Sequence, residues 1–271
     1  IDLLKGLGEY FELSLAYCIR NYTYCVISKV KEAGETISEL INITRQTRNL
    51  QNLGWALIEQ GRTACLIGEV DERIISGLEE SRELLEKSRD KMTEQYVLSF
   101  LGFAYMRMGQ FDKALEQIST VPALYRRYGI GCFFIDMFPI GAEIYFAKIT
   151  HTPGLKEQQK EAYLKKAAWF CKQAMYWGRR YPVFLGWAFQ VSGTYHWLRG
   201  AKRKALELWH EGIAFLREDT LDKYRLAYLL LEEGKLLLQD DPRDKKAYEN
   251  LLEARDLFSS LGCKLDLEAS D

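Results

Sequence analysis

The chain has 271 residues, 48% of them hydrophobic and 28% charged, with 37 Lys plus Arg against 38 Asp plus Glu. Such a composition excludes a disordered or fibrous polypeptide, and the near-neutral balance leaves no basic field to recruit nucleic acid or an anionic membrane. No apolar run reaches the roughly 18 residues that a bilayer span needs.

In chain order, apolar residues recurring every three or four positions predict helices over 2–20, 22–32, 36–47, 49–67, 71–88, 92–108, 111–120, 132–150, 157–178, 183–199, 202–218, 221–239 and 244–261. In one alternative Asn21 lies inside a single long first helix. The opening IDLLKGLGEY lacks a basic stretch followed by an apolar one, so it does not read as a signal peptide. It also lacks Met, and the chain is expected to be a piece of a longer protein. Gly34, Gly61, Gly68, Gly109, Pro122, Gly129, Gly131, Pro153-Gly154, Pro182, Gly200 and Pro242 punctuate the pattern. Pro139 falls inside the helix expected at 132–150 and should kink it or lie near a break. Sustained period-two alternation is absent, so no sheet is expected. Most joining segments are short, which favours antiparallel neighbours.

An internal repeat organises these helices. Residues 98–118 read LSFLGFAYMRMGQFDKALEQI, placing Leu101-Gly102, Tyr105, Gly109, Phe111 and Ala114 in one frame. Residues 189–209, FQVSGTYHWLRGAKRKALELW, give Gly193, Gly200 and Ala205 the same spacing, with His196 in the tyrosine's place. Looser copies carry Leu53-Gly54, Gly61 and Gly68; Ile140-Gly141 with Ala167, Cys171 and Ala174; and Gly234 with Ala247 and Ala254. These landmarks resemble the tetratricopeptide repeat. The resemblance implies an all-α, right-handed superhelical solenoid of antiparallel helix pairs, about 12–13 helices in all. One helical-repeat domain over 1–271 is expected: leading helices at 1–48, the clearest repeats at 49–128, a divergent repeat with an insertion at 132–178, and C-terminal repeats at 183–262. The stretches ALELWHEGIAFLRE and YENLLEARDLFSSLGCKLDLE also resemble the C-terminal helical arms of signalling ATPases, cyclases and kinases with AAA or STAND-type cores. That implies a regulatory arm without the nucleotide site.

Chemistry is sparse. Six cysteines (Cys18, Cys25, Cys65, Cys132, Cys171 and Cys263) form no C-x-x-C and read as core residues of a reducing, cytoplasmic setting. Of three histidines, His196 sits at a packing landmark, His210 on a charged helix and His151 in a loop, none at metal-ligand spacing. Gly129-Ile130-Gly131 lacks the third glycine of a dinucleotide fingerprint, and Gly234-Lys235 is no P-loop. No catalytic residue, cofactor or metal is expected. Basic clusters at Arg126-Arg127, Arg179-Arg180 and Arg199 through Lys204 fall at helix ends and there complement the helix dipole; as an alternative they contact a peptide or phosphate.

What remains is a surface for binding. The resemblance places the first helix of each pair on the concave face. In the two clearest units Tyr96, Ser99, Phe103 and Met106, then Trp187, Gln190, Thr194 and Trp197, would point there. The family's clamp for peptide C-terminal carboxylates uses Lys, Arg and Asn at such places; this chain departs from it and offers aromatic, neutral side chains. The expected function is a non-catalytic module holding a protein or peptide segment. The alternatives are a cis-acting arm of a signalling ATPase or adenylate cyclase, and a small-molecule sensor or unrecognised enzyme. Oligomeric state is not readable.

Overall fold

A computed structural model describes residues 1–131, 134–219, 222–263 and 266, with Asp219 known by its backbone alone. Cys132, Leu221 and the end of the YENLLEARDLFSSLGCKLDLE stretch (264, 265, 267 and 268) lie outside the described residues. Among those described, thirteen α-helices and no strand are found: α1 (Asp2–Leu7), α2 (Tyr10–Val26), α3 (Val30–Thr47), α4 (Leu50–Ile67), α5 (Glu72–Lys87), α6 (Lys91–Arg107), α7 (Phe111–Tyr128), α8 (Met137–Thr150), α9 (Glu157–Gly178), α10 (Leu185–Leu198), α11 (Lys202–Asp219), α12 (Lys223–Asp240) and α13 (Lys245–Leu261).

The helices begin and end where local chemistry says they should. Side chains of Asn49, Asp71, Asp90, Asp222 and Asp244 accept first-turn N–H groups of α4, α5, α6, α12 and α13. Gly109 takes φ +72°, a left-handed conformation that L side chains rarely adopt, and its N–H closes α6 on the Met106 carbonyl.

The chain divides into two compact units, residues 1–134 and 135–271. Within the first, α2 pairs with α3, α4 with α5 and α6 with α7; α4 also touches α2 on one side and α6 on the other. Within the second, α8 pairs with α9, α10 with α11 and α12 with α13, while α10 touches both α8 and α12. Each unit is therefore a run of three helix hairpins whose first helices lie side by side.

The repeat landmarks are where the pairs close. Gly54, Gly102, Gly141, Gly193 and Gly234 all fall on first helices. At Gly193 a Cβ would lie 2.1 Å from Trp209 Nε1, and that indole donates to the Gln190 carbonyl at 3.1 Å. Only a residue without a side chain lets α11 come this close. Ala114 and Ala205 are fully buried at the matching place on second helices. Tyr105 donates its hydroxyl to Glu79 on α5, tying one pair to the preceding one.

Several boundaries differ from the sequence expectation. The N-terminal register is 2–7, 10–26 and 30–47, because Gly8 turns left-handed and ends α1 early, and Asn21 lies inside α2. Gly34 sits inside α3 and breaks nothing. Helix α7 runs through Pro122 to Tyr128, since its buried stripe Ala114, Ile118 and Val121 continues to the proline and holds the helix across it. Pro139 is the third residue of α8, in the turn whose N–H groups have no helical partner, so it costs the helix no bond.

Candidate functional site

Helix α2 is apolar on two faces. Leu13 and Tyr17 are buried against Ile37, Leu40 and Ala56. On its other side Phe11, Leu15 and Ile19 recur every fourth residue and remain 45%, 40% and 39% exposed. Those side chains look across α4 and α6 rather than into the core. Phe11 meets Trp55 of α4 edge-on, with ring centroids 5.6 Å apart.

Between the three helices lies an open cleft of about 110 Å³. Leu15, Cys18, Ile19 and Tyr22 of α2 form one wall. Trp55, Ile58 and Glu59 of α4 form the floor, and Thr93 and Tyr96 of α6 close the far side together with Phe134. The lining is almost wholly apolar.

The polar groups near the cleft are already engaged. Glu59 pairs with Arg62 at 3.0 Å and accepts from Asn21 Nδ2 at 2.8 Å, and all three residues are buried. The Arg62 guanidinium lies over the rings of Tyr22, Tyr96 and Phe100 at 4.9, 5.4 and 5.1 Å. Asp90 fixes the tryptophan: its carboxylate accepts from Trp55 Nε1 at 3.0 Å and Gln51 Nε2 at 2.9 Å while capping α6 through Thr93. Burial works to raise the Asp90 pKa, but these bonds outweigh it and hold the group below the usual carboxylate range. Burial pushes the Cys18 thiol well up, so it is a poor nucleophile and presents an apolar surface.

The corresponding face of residues 135–271 is filled with polar contacts. Glu143 of α8 accepts from Trp187 Nε1 at 2.6 Å and Gln190 Nε2 at 3.1 Å, both on α10. Arg225 of α12 lies 3.8 Å from the same carboxylate and stacks 3.2 Å over the Trp187 ring. One carboxylate thus joins three first helices. Half-buried Glu232, further along α12, has its pKa raised to about 7 by burial, with the Glu143 charge adding and Lys235 opposing.

Of the residues expected on the binding face, Tyr96 lines the cleft and is 2% exposed. Ser99 and Phe103 are fully enclosed, the serine hydroxyl donating to the Gln95 carbonyl, and Met106 is half-buried. Trp187 and Gln190 are the Glu143 partners, while Thr194 and Trp197 are half-buried, the latter edge-on to Trp209. Leu15, Ile19, Tyr22 and Trp55 were not singled out from sequence. The signal that could have found the first three is the second apolar stripe of α2.

The described cysteines, Cys18, Cys25, Cys65, Cys171 and Cys263, are free thiols. No group of three or more His, Cys, Asp or Glu that could hold a metal ion occurs among the described residues. No described helix is long and apolar enough to cross a membrane.

No family model matches the chain, and no curated protein does. Among solved structures, the crystal structure of BtubC (BKLC) from P. vanneervenii is similar over 86% of this chain and 92% of that one, with TM-score 0.57 and 13% identity. The TPR2AB-domain:pHSP90-complex of yeast Sti1 covers 96% of this chain and 97% of that one at TM-score 0.36 and 13% identity. With its landmark glycines on first helices and six helix hairpins among the described residues, the chain has a tetratricopeptide-like helical-repeat fold.

Proposed function

We propose that this chain is a non-catalytic interaction module that captures an apolar side chain of a partner polypeptide in the cleft between α2, α4 and α6. The observation that carries the reading is the exposed row Phe11, Leu15 and Ile19 bordering an open apolar cleft. Exposed apolar side chains gathered around a concavity are costly in water and gain free energy when covered. A partner leucine or phenylalanine buried there contributes about 2 kcal/mol, roughly thirtyfold in affinity. Tyr96 and Trp55 would supply the rigid aromatic walls. A setting that keeps thiols reduced, such as the cytoplasm, suits five free cysteines.

The test is a random-peptide display selection on the whole chain, followed by titration of the winners against Leu15→Asp and Ile19→Asp. Both sites are exposed, so folding should survive the change. Peptides sharing one bulky apolar anchor, weakened at least tenfold by either substitution, support the reading. Winners indifferent to both substitutions, or no winners, refute it.

A further inference from the structure

A second concavity, in residues 135–271, has a different chemistry. Helices α9 and α10 enclose a groove of about 500 Å³ with Ala168, Cys171 and Met175 at its base. Its rim carries Lys172, Arg179, Arg180 and His196, and no carboxylate lines it. The whole chain has net charge −1, so a basic chain does not explain the sign.

The first unit supplies an internal comparison. The matching groove between α3 and α4, continuing to the start of α5, is of similar size, about 590 Å³. There the charged lining is Glu69, Asp71 and Arg73, and Asp71 neutralises Arg73 with a 2.8 Å hydrogen bond. The repeat frame therefore makes such grooves without demanding cations in them.

Helix-end chemistry accounts for where two of the three rim cations stand, Arg179 being the C-cap residue of α9. Arg180 donates to the Tyr176 carbonyl at 3.0 Å and lies on the Tyr176 ring, a role at the C-terminus of α9. Lys172 stands seven residues before Arg179, beyond the last turn over which a helix dipole acts. Neither Lys172 nor Arg179 has an ion-pair partner among the described residues, and both are exposed. The separation along the helix is about 10 Å, at 1.5 Å per residue. Three residues of a polypeptide extended as polyproline II span about the same length, at 3.1 Å each, and bring its side chains back to one face. Cations spread along a groove match a string of carboxylates better than one converging anion.

We propose that the α9/α10 groove docks an acidic, extended segment of a partner polypeptide, with Lys172 and Arg179 meeting carboxylates one and then three positions further along. This site is separate from the apolar cleft and does not depend on that reading.

The experiment is fluorescence anisotropy of a labelled oligoglutamate peptide with the whole chain at low salt, beside an oligoglutamine peptide of equal length. The expected result is binding of the glutamate peptide alone, weakening steeply with salt and falling about tenfold or more in Lys172→Glu/Arg179→Glu. The neutral pair Lys172→Gln/Arg179→Gln should lose part of it. Lys31→Glu/Arg243→Glu, which changes net charge equally at exposed sites that do not line the groove, should lose little, and Ile19→Asp should lose nothing. The proposal is overturned if the glutamate peptide does not bind, if the charge-matched control weakens binding as much, or if inorganic phosphate competes at concentrations comparable to the peptide, which would mark a small-anion site.

Discussion

Helices α2, α4 and α6 of residues 1–134 hold the same place in their hairpins as α8, α10 and α12 of residues 135–271. The first face ends in Leu15, Ile19, Trp55 and Tyr96 around an open apolar cleft. The second ends in Glu143, Trp187, Gln190 and Arg225, closed on one another by hydrogen bonds and a stacked guanidinium. The frame is set at other positions: small residues where paired helices touch, and caps where they begin. That leaves the face residues free to diverge, so one unit keeps an exposed apolar face while the other uses its face to tie three hairpins together. The grooves behind these faces diverge independently, one with a neutralised Arg73 and one with unpaired Lys172 and Arg179.

The largest expected effect tests whether the frame is equally tight in both units. Gly193→Ala forces a Cβ against the Trp209 ring, which is pinned to the Gln190 carbonyl, and should cost about 3 kcal/mol in urea unfolding. Gly54→Ala meets Leu85 Cγ and Cδ2 at 3.1 Å and the Ser81 carbonyl at 3.6 Å, looser contacts that should cost about 1 kcal/mol or less. Equal losses would break that distinction.

Next, Glu143→Leu strips the buried Arg225, the Trp187 N–H and the Gln190 amide of their shared acceptor and should cost about 2–3 kcal/mol by the same measurement. Leu15→Asp and Ile19→Asp on the other face should each change stability by less than about 0.5 kcal/mol, the smallest effect.

Between these lies a pH effect carried by two raised carboxylates of the second unit. The Glu232 pKa rises from 4.5 to about 7 on folding and that of Asp222 from 3.8 to about 6, in both cases chiefly through burial. A folded state that holds these protons more tightly than the unfolded chain loses stability as pH climbs through that window. The cost is absent below about pH 4 and complete above about pH 7. Glu232→Gln should flatten the fall in urea midpoint between pH 4.5 and 7, relative to the parent chain. An unchanged slope would show that Glu232 ionises freely.

Much of the fold is legible in the sequence because helix caps, left-handed glycines and interhelical small residues act locally. Gly102, Gly109 and Ala114, and Gly193, Gly200 and Ala205, mark hairpins that form as spaced. Pro139 lies next to a helix start, as one of its two expected readings has it, whereas Pro122 misleads because a proline's effect depends on the apolar stripe around it, which the residue alone does not reveal. The site is less legible. Counting along α6 picks Tyr96, Ser99 and Phe103, which sit where neighbouring helices also press: all three are buried, and of them Tyr96 lines the cleft. The aromatic richness between Tyr125 and Trp197 is largely spent on packing, as in Phe138 against Trp169 and Tyr145 against Tyr163. The exposed row of α2 lies in a stretch with no repeat landmark, so only its two-faced apolarity betrays it.

The central claim, that the apolar cleft of residues 1–134 receives the partner, is tested most directly by methyl NMR of the Ile, Leu and Val side chains while a selected peptide is titrated in. The account predicts that Leu15, Ile19 and Ile58 shift in concert, with Ile144, Val191 and Ile213 unmoved. Shifts centred on Ile144 and Val191, with Ile19 silent, would contradict it.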